Sequence, residues 1–423
     1  MFHVAVVGGG IAGISLAIAL HHRNIPVTIY EQAPAFGEVG AGVSFGPNAV
    51  QAMQACHPGI YAAFEKVCTR NLWPAKQDVW FDYLDGTSAS RDIAFTIRNG
   101  LGQTGVHRAH FLDEMIRLLP PDLARFNKRC EAVRQRPDGK LVLVFADGSE
   151  DLTDLVVGCD GIKSQIRRLV VGDDHPAVHP AYSHKYAYRG LVPMDQAIAA
   201  IGEELASNAC MHMGPGGHLL TFPVNQGKTL NLVAFHTSPE PWADYPRLTR
   251  QGTRDEVLRD FAGYGPNVRN LLQLTDPQLS VWAIFDLGDH PVPTFYRGRI
   301  ALSGDAAHAT APHHGAGAGF CLEDTAVLAA LLADPRVHSH ADLEAVLATF
   351  DACRRERGQW LVQSSRFIGD AYEWRAPGVG PDFAKIEAAI NHRNGIIANV
   401  DVFRMCEEAT AELGRRLPVG PSL

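Results

Sequence analysis

The first thirty residues alternate between short apolar runs and a segment rich in glycine. Residues 4–7 are all apolar and are followed by Gly8, Gly10 and Gly13, and a second largely apolar run ends at Glu31. Continuous apolar runs of this length are typical of buried parallel strands. The pattern therefore predicts a strand, a glycine turn, a helix and a second strand that ends in an acid.

Further along the chain, the pattern predicts a second layer of strands. Residues 78–95 are predicted as a strand and a hairpin turn, and the segment from about 180 to 285 is rich in strand-forming residues. We interpret the latter as an antiparallel sheet that forms the floor of a pocket. Asn48 is predicted to cap a helix, Arg108 to Leu119 to form another, and the chain beyond about 320 to be largely helical.

These elements predict an α/β protein with a Rossmann-like nucleotide-binding fold, an inserted antiparallel β substrate domain and C-terminal helices. The nucleotide-binding fold is assigned three segments, 1–75, 96–178 and 289–335. The substrate sheet is assigned 76–95 and 179–288, and the C-terminal helical region is assigned 336–423.

Composition excludes several classes of partner. The 423 residues carry 38 basic and 46 acidic side chains, a net charge of -8 that would repel nucleic acid and anionic membranes. No segment reaches the roughly 20 apolar residues that a membrane span needs. The eight cysteines are scattered without metal-ligand spacing, so we expect reduced thiols and no metal site. A cytoplasmic protein, monomeric or homodimeric, is expected.

The N-terminal pattern is suited to binding a dinucleotide. Gly8 permits the tight turn, Gly10 lets backbone N–H groups approach the pyrophosphate, and Gly13 lets the helix pack closely on the strand. The helix N-terminus adds N–H donors and the positive end of its dipole. Glu31 lies where a carboxylate can bind both ribose hydroxyls. The motif alone does not distinguish NAD from FAD.

Two further strands end in glycine and aspartate. The first leads to Asp160-Gly161 and the second to Gly304-Asp305, and such strand ends meet ligands at the carboxyl edge of an α/β sheet. Each alone could be an ordinary turn. Together with the N-terminal glycines, and in this order, they resemble the three fingerprints of the flavoprotein aromatic hydroxylases, the single-component FAD monooxygenases. The resemblance covers at least residues 1–330.

This resemblance implies a fold like that of p-hydroxybenzoate hydroxylase, FAD as the bound cofactor, and NADH or NADPH together with O2 as co-substrates. It implies that Arg108 lies along the ribityl and pyrophosphate groups, that Asp160 supports FAD, and that Asp305 binds the ribityl hydroxyls. The full set of implied cofactor residues is Gly8, Gly10, Gly13, Glu31, Gly42, Val43, Arg108, Asp160, Asp305, Pro312, Gly315, Ala316, Gly317 and Ala318.

The glycine run from Gly315 to Gly319 precedes a predicted helix. Its N–H groups and the positive end of the helix dipole are placed to face the N1–C2=O edge of the flavin. The same glycines could instead ease helix packing, and the two roles are compatible.

Within the family, the chain most resembles the salicylate hydroxylases, through residues 33–50, 78–81, 187–190 and 312–319. It departs from the bacterial pattern at His314 and at Phe320-Cys321, which is more similar to a fungal branch. The implied reaction converts salicylate to catechol with loss of CO2 through a flavin C4a-hydroperoxide. Alternatives are hydroxylation of another aromatic acid, such as a hydroxybenzoate or hydroxynicotinate, without decarboxylation; a non-oxygenating flavin reductase or dehydrogenase; and a non-enzymatic nucleotide-binding protein.

The resemblance makes His313 the candidate catalytic base or orienting group, because the family motif puts it between the flavin loop and the substrate. It could instead satisfy backbone carbonyls. Arg189 is either a carboxylate anchor or part of a salt bridge between strands. The residues Arg354, Arg355 and Arg357 are predicted to form a solvated or ion-paired helix face. The candidate pocket-lining residues are Tyr83, Arg189, His218, Phe222, His236 and His314.

Overall fold

The computed structural model describes residues 2–37, 42–243 and 247–417. The strands in chain order are β1 (Val4–Val7), β2 (Val27–Tyr30), β3 (Gly42–Ser44), β4 (Thr69–Arg70), β5 (Val79–Asp85), β6 (Phe95–Arg98), β7 (Thr104–His107), β8 (Ala124–Arg125), β9 (Cys130–Gln135), β10 (Leu141–Phe145), β11 (Glu150–Thr153), β12 (Leu155–Gly158), β13 (Ala181–Pro193), β14 (Cys210–Gly214), β15 (Gly217–Val224), β16 (Thr229–Thr237), β17 (Thr249–Thr253), β18 (Gln278–Asp286), β19 (Tyr296–Arg297) and β20 (Ile300–Leu302).

The α-helices are α1 (Ile11–His21), α2 (Pro47–Cys56), α3 (Pro58–Val67), α4 (Arg108–Ile116), α5 (Gln165–Val171), α6 (Met194–Ile201), α7 (Glu203–Ser207), α8 (Arg254–Asp260), α9 (Pro266–Gln273), α10 (Asp305–His308), α11 (Gly317–Leu332), α12 (His340–Tyr372), α13 (Phe383–Ala398) and α14 (Val402–Arg416). No helix among these described residues combines the length and apolar character that crossing a membrane requires.

A six-stranded sheet carries the nucleotide-binding motifs, in the order β19-β20-β12-β1-β2-β8. Its central strand β1 is buried along its whole length and runs parallel to β2 and β12, and β12 runs parallel to β20. The register aligns Val7 with Gly158 and Gly158 with Leu302. The three predicted strand ends therefore emerge side by side at one edge, as the parallel arrangement requires.

An eight-stranded sheet forms the second layer, in the order β17-β18-β13-β16-β15-β14-β5-β6. One face packs on α6, α7, α8 and α9 through an apolar cluster that includes Tyr188 and Leu232. Alternate residues of each strand point to the opposite face, where α12 and α13 cover the β5–β14–β15 side. This opposite face is called the inner face below.

The predicted fold class is confirmed: a Rossmann-like α/β fold carries a separate β-sheet and C-terminal helices. Both segments assigned to the substrate domain contribute strands to the eight-stranded sheet, although β6 continues beyond the boundary placed at residue 95. The domain boundaries themselves stay a prediction. The stretch 33–50 includes residues 38–41, which lie outside the described ranges.

Asn48 does not cap a helix, which corrects the prediction made from its sequence position. Helix α2 begins at Pro47 with Gly46 as its N-cap, since a proline at the first helical position has no N–H to satisfy. The buried Asn48 side chain instead donates a hydrogen bond from Nδ2 to Glu323 Oε1 on α11, at a distance of 2.7 Å. A polar residue beside a helix start thus serves a contact that is remote in sequence.

Helix α12 is 33 residues long and runs from the six-stranded sheet's helices to the inner face of the eight-stranded sheet. Near its middle, Arg354 is fully buried and bonds Asp324 through Nε (2.8 Å) and Glu323 through Nη1 (2.9 Å). Arg357 also pairs with Glu323. The arginine cluster is therefore ion-paired as predicted, but at Arg354 it is not a solvated face.

Candidate functional site

Two glycines of the first turn leave no room for a side chain. Gly8 adopts a φ of +108°, and a Cβ there would lie 2.4 Å from the carbonyl oxygen of Cys159. A Cβ on Gly13 would lie 1.9 Å from the carbonyl oxygen of Gly8. The turn between β1 and α1 therefore depends on glycine at both positions.

The N-terminus of α1 is oriented toward this turn and carries no side-chain cap. Gly10 is its N-cap residue, so the N–H groups of the first helical turn have no side-chain acceptor. At the end of the neighbouring strand, the Glu31 carboxylate accepts two backbone hydrogen bonds. Its Oε2 atom accepts from Gly9 N–H and its Oε1 atom from Ala33 N–H, each at a distance of 2.7 Å. The carboxylate is thereby held beside the helix N-terminus, the arrangement that the sequence predicts for binding ADP.

We expect the Gly13→Ala variant to lose most of its affinity for FAD, because the added methyl group would collide with Gly8 and push α1 away from β1. The measurement is the ratio of flavin absorbance to protein absorbance after purification, followed by titration of the flavin-free protein with FAD. Gly263→Ala is the matched control, since a Cβ there would meet no atom within 4 Å. Equal flavin content in the two variants would contradict the prediction.

The two strand-end aspartates have different surroundings. The Asp160 carboxylate accepts hydrogen bonds from Ser164 Oγ (2.5 Å), Gln165 N–H (2.7 Å) and Ile166 N–H (3.1 Å), and so holds the loop that begins α5. Asp305 is exposed at the start of α10, and its carboxylate has no hydrogen bond within the described part of the chain. Asp305 therefore keeps an exposed carboxylate that can accept from hydroxyl groups, whereas the Asp160 carboxylate shapes the loop; the FAD contacts of both residues stay a prediction.

Gly42, Val43 and Arg108 come together through strand pairing. Gly42 lies opposite His107 and Val43 opposite Val106 in the small β3–β7 ladder, and Arg108 is the first residue of α4. Phe222 of the eight-stranded sheet packs against this ladder, with its ring 2.9 Å from the position of a Gly42 Cβ. The inner face thus touches the predicted cofactor loop through Phe222.

The loop before α11 supplies a second uncapped helix N-terminus. Pro312–His314 forms one turn of 3-10 helix, and Gly315 then adopts the left-handed conformation at a φ of +64°. Ala316 is the N-cap residue of α11 and provides no side-chain acceptor for the N–H groups that follow, those of Gly317 and Ala318. The first turn of α11 can therefore bind an electron-rich group, as predicted for the flavin.

The inner face carries polar groups that have no protein partner. An apolar cluster there is formed by Ala187, Val233, Phe235, Ile284 and Ala311. Within or beside it, Arg189 Nε, Asn231 Nδ2 and both ring nitrogens of His313 are buried without a hydrogen bond to any described residue. Buried polar groups are rarely left unsatisfied in a folded protein. Several at one place indicate a site where a ligand provides the missing partners.

Arg189 lies on the same face of β13 as Ala187, two residues further along the strand, and near Arg108. Its guanidinium stacks on the Trp282 ring, 4.6 Å from the ring centroid. Burial and the nearby positive charge of Arg108 lower its pKa to about 10. No carboxylate among the described residues forms an ion pair with it, so the salt bridge between strands that the sequence left open is not present. The position favours an anionic ligand.

His313 is buried beneath the same face. Its ring lies 4.9 Å from Phe235 and 5.2 Å from His218, measured between centroids. Burial lowers the pKa of His313 well below its usual value, and the positive charge of Lys185 lowers it further. The imidazole is therefore neutral at pH 7 and can accept a proton or a hydrogen bond from a ligand.

Three other candidate pocket residues have different surroundings. His236 is on the opposite face of the sheet, 6.1 Å from Phe261 between ring centroids, because it is one residue out of phase with Phe235. Tyr83 stacks on Phe95 within the core beneath α12. His314 turns away to Ser364 of α12, with Nε2 and Oγ 2.9 Å apart, and its burial lowers its pKa to about 3. His236 and His314 therefore point away from the predicted pocket, whereas Tyr83 lies on the inner face under α12 and its pocket-lining role stays a prediction.

Other residues of the site escaped the sequence analysis. Asn231 and Trp282 occupy the inner face, while Lys185 and Glu373 form a buried ion pair behind His313. A signal existed for Lys185, a charged residue in a strand-forming segment. No comparable local signal marks Asn231 or Glu373. A cavity of about 220 Å³, lined in part by Lys185, Ala311 and His313, opens beside this ion pair.

The residues present fit a flavin dinucleotide. The glycine turn and Glu31 can hold the ADP end, the exposed carboxylate of Asp305 can bind ribityl hydroxyls, and the uncapped N-terminus of α11 can face the ring. Arg189 lies on the inner face, and His313 lies in the loop that leads into α11 and packs against that face. No cluster of three or more potential metal ligands occurs in the ranges that the structure describes.

Known proteins match the chain over nearly its whole length. A protein family described as an FAD binding domain matches residues 123–365, and one described as an NAD(P)-binding Rossmann-like domain matches residues 6–85. The FAD-dependent monooxygenase pigN of Monascus ruber is 46% identical over 98% of this chain and 97% of its own. Salicylate hydroxylase asL1 of Sarocladium schorii is 40% identical, over 88% of this chain and 83% of its own. The solved structure of a salicylate hydroxylase substrate complex has a TM-score of 0.87 at 36% identity and covers 99% of both chains.

Proposed function

Because the chain belongs to the FAD-dependent monooxygenases of the aromatic hydroxylase family, we propose that it hydroxylates a phenol that binds as an anion, and that salicylate is such a substrate. The observation that carries the proposal is the partly buried guanidinium of Arg189, whose Nε atom is buried without a hydrogen bond, which has no carboxylate partner among the described residues, and which lies near Arg108. A buried cation without a counter-ion is costly. An anionic substrate removes that cost when it binds.

FAD, once bound and reduced by NAD(P)H, supplies the chemistry of oxygen activation. The chain's own residues do the rest. Arg189 binds the carboxylate or phenolate and fixes the orientation of the ring over the inner face. Neutral His313 accepts the proton of the phenol hydroxyl, which makes the ring more electron-rich. The apolar cluster around Phe235 excludes water from the reacting ring.

The proposed reaction converts salicylate to catechol. One atom of O2 enters the ring at the carbon that carries the carboxylate, the carboxylate leaves as CO2, and the other oxygen atom is reduced to water at the expense of NAD(P)H. Two relatives whose names specify salicylate hydroxylase support this choice. A relative of higher identity is named only as an FAD-dependent monooxygenase. Hydroxylation of another phenolic acid with the carboxylate retained is therefore the second candidate.

The test uses the FAD-loaded protein with salicylate, NADH or NADPH, and ¹⁸O₂. We expect catechol that contains one ¹⁸O atom, together with one CO2 per catechol. A hydroxylated product that retains its carboxylate would contradict the decarboxylating reaction and support the second candidate, hydroxylation without decarboxylation. Oxidation of NAD(P)H without ¹⁸O in any product, over a panel of phenolic acids, would contradict the proposed function and favour a flavin reductase.

We expect the Arg189→Met variant to lose about 2 kcal/mol or more of transition-state binding, roughly 30-fold or more in kcat/KM, because its substrate anion is buried without a cation. Arg189→Lys should recover part of the loss, since it restores charge but not the planar stacking on Trp282. Steady-state product formation against substrate concentration measures both variants. Arg98→Met, an exposed position on β6 of the same sheet, is the control. Unchanged kcat/KM in Arg189→Met would show that the anion binds elsewhere.

A further inference from the structure

Behind His313 lies a buried cluster of charged groups that the proposed reaction does not yet use. The Oε2 atom of Glu373 accepts hydrogen bonds from Lys185 Nζ (2.5 Å) and from Thr237 Oγ1 (2.7 Å). Its Oε1 atom lies 3.2 Å from His218 Nδ1, at ion-pair distance but without hydrogen-bond alignment. Both the Glu373 and His218 side chains are completely buried.

His218 connects this carboxylate to the inner face. Its ring stacks on Phe235 at 4.6 Å and meets His313 edge-on at 5.2 Å, both measured between centroids. On its other side, His313 packs against Gly369 of α12, where a Cβ would lie 2.4 Å from the imidazole Cδ2. His313, His218 and Glu373 therefore form one continuous row of contacts that leads from the inner face to the buried carboxylate.

The charges of the cluster are unequal. Glu373 and Asp370 are two carboxylates, and Lys185 is the one ammonium group, bonded to Asp370 at 2.8 Å and to Glu373 at 2.5 Å. With both histidines neutral, these three charged groups together carry one excess negative charge, and the further cation Arg375 lines the cavity beside them. One added proton on the histidine pair would balance that charge, so Glu373 offsets part of the burial cost that keeps the pKa of both histidines low.

The cluster also has an outlet. Asp370 is partly exposed, and it lines the 220 Å³ cavity together with Lys185 and His313. A proton held on His313 can therefore be exchanged with water there once the substrate has reacted.

We propose that Glu373, acting through His218, is a positioning residue that lets His313 hold the proton released by the substrate. In this step, which rests on the proposed function, the phenol O–H bond breaks, an N–H bond forms at His313, and the phenolate remains opposite Arg189. The excess negative charge from Glu373 balances the new imidazolium. The proton then leaves through the cavity.

The test must consider every group that faces the pair. The titratable and charged groups next to His218 and Glu373 include Lys185, Tyr264, His313, His314, Asp370 and Tyr372, and the cavity beside His313 adds Tyr182, His184, Asp289, Arg366 and Arg375. The glutamate raises and the lysine lowers the pKa of both histidines. Variants at these two positions are therefore expected to act with opposite sign.

The experiment is a histidine NMR titration of the FAD-loaded protein, with product formation measured over the same pH range. Glu373→Gln should lower the protonation midpoint of the His218–His313 pair by about one to three pH units, and Lys185→Met should raise it. In Glu373→Gln, the amount of hydroxylated product formed per NAD(P)H consumed (coupled hydroxylation) should fall at least tenfold, while the flavin content stays unchanged. Thr237→Val, which removes one hydrogen bond but no charge, should leave the midpoint in place.

The outcomes separate this inference from the proposed function. Midpoint shifts of opposite sign support the role of Glu373 even if no phenol tested is hydroxylated, a result that would count against the proposed function alone. Coupled hydroxylation with the wild-type pH profile and midpoint in Glu373→Gln would overturn the inference. If Glu373→Gln does not fold, the Lys185→Met titration decides, since an unchanged or lowered midpoint there also overturns it.

Discussion

We expect the His313→Ala variant to bind FAD normally but to hydroxylate its substrate roughly 10²- to 10⁴-fold more slowly. The phenol would lose the neutral imidazole that accepts its proton, while the residues around the ADP end are untouched. NAD(P)H oxidation should continue and be diverted to hydrogen peroxide. The measurement is the ratio of hydroxylated product to NAD(P)H consumed, with peroxide determined in parallel.

The neighbouring His314→Ala variant is the control, because that side chain turns to Ser364 instead of the inner face. A second variant approaches the same ring from helix α12: Gly369→Ala places a methyl group against His313 and should lower coupling without removing the imidazole. Fully coupled turnover in His313→Ala would remove this residue from the catalytic role.

The Arg354→Ala variant should lose about 3 to 5 kcal/mol of unfolding free energy. Arg354 is the buried cation between Glu323 and Asp324, and truncating it would leave buried carboxylates with incomplete compensation. Asp324 also accepts from Gly304 N–H (3.1 Å), directly before Asp305. The damage should therefore reach the cofactor site, and we expect FAD retention to fall together with the urea midpoint of tryptophan fluorescence.

Arg404→Ala provides the comparison for this experiment. Arg404 pairs with Glu408 on the exposed side of α14, where an ion pair contributes little to stability. Its urea midpoint should equal that of the wild type. If Arg354→Ala behaved in the same way, the buried network would not be a source of stability.

The cofactor end of the site could be predicted because each of its parts depends on short stretches of sequence. Gly13 is required by a contact within one β–α turn, Gly8 is required by the left-handed turn and by the neighbouring strand end at Cys159, and Asp305 follows directly from the end of its strand. Parallel pairing then brings the strand ends together without further information. The motif, the fold class and the family all follow from these local patterns.

The substrate wall could not be predicted in the same way. His218 and His236 both lie on predicted strands, but they point to opposite faces, and a shift of one residue reverses the assignment. Glu373 meets Lys185 across 188 positions of sequence, so only the docking of α12 on the sheet creates that pair. Arg354 belongs to an apparently polar helix segment that α11 and α14 cover.

Helix α12 has a consequence for attempts to change what the protein acts on. At 33 residues it is about 50 Å long. The same helix carries the buried Arg354 on the cofactor side of the molecule and ends directly before Glu373 on the substrate side. Grafting only the eight-stranded sheet from a relative would leave the recipient's own helix end against a foreign wall. A chimera designed for altered substrate selectivity should therefore take both the sheet and the second half of this helix from the same relative.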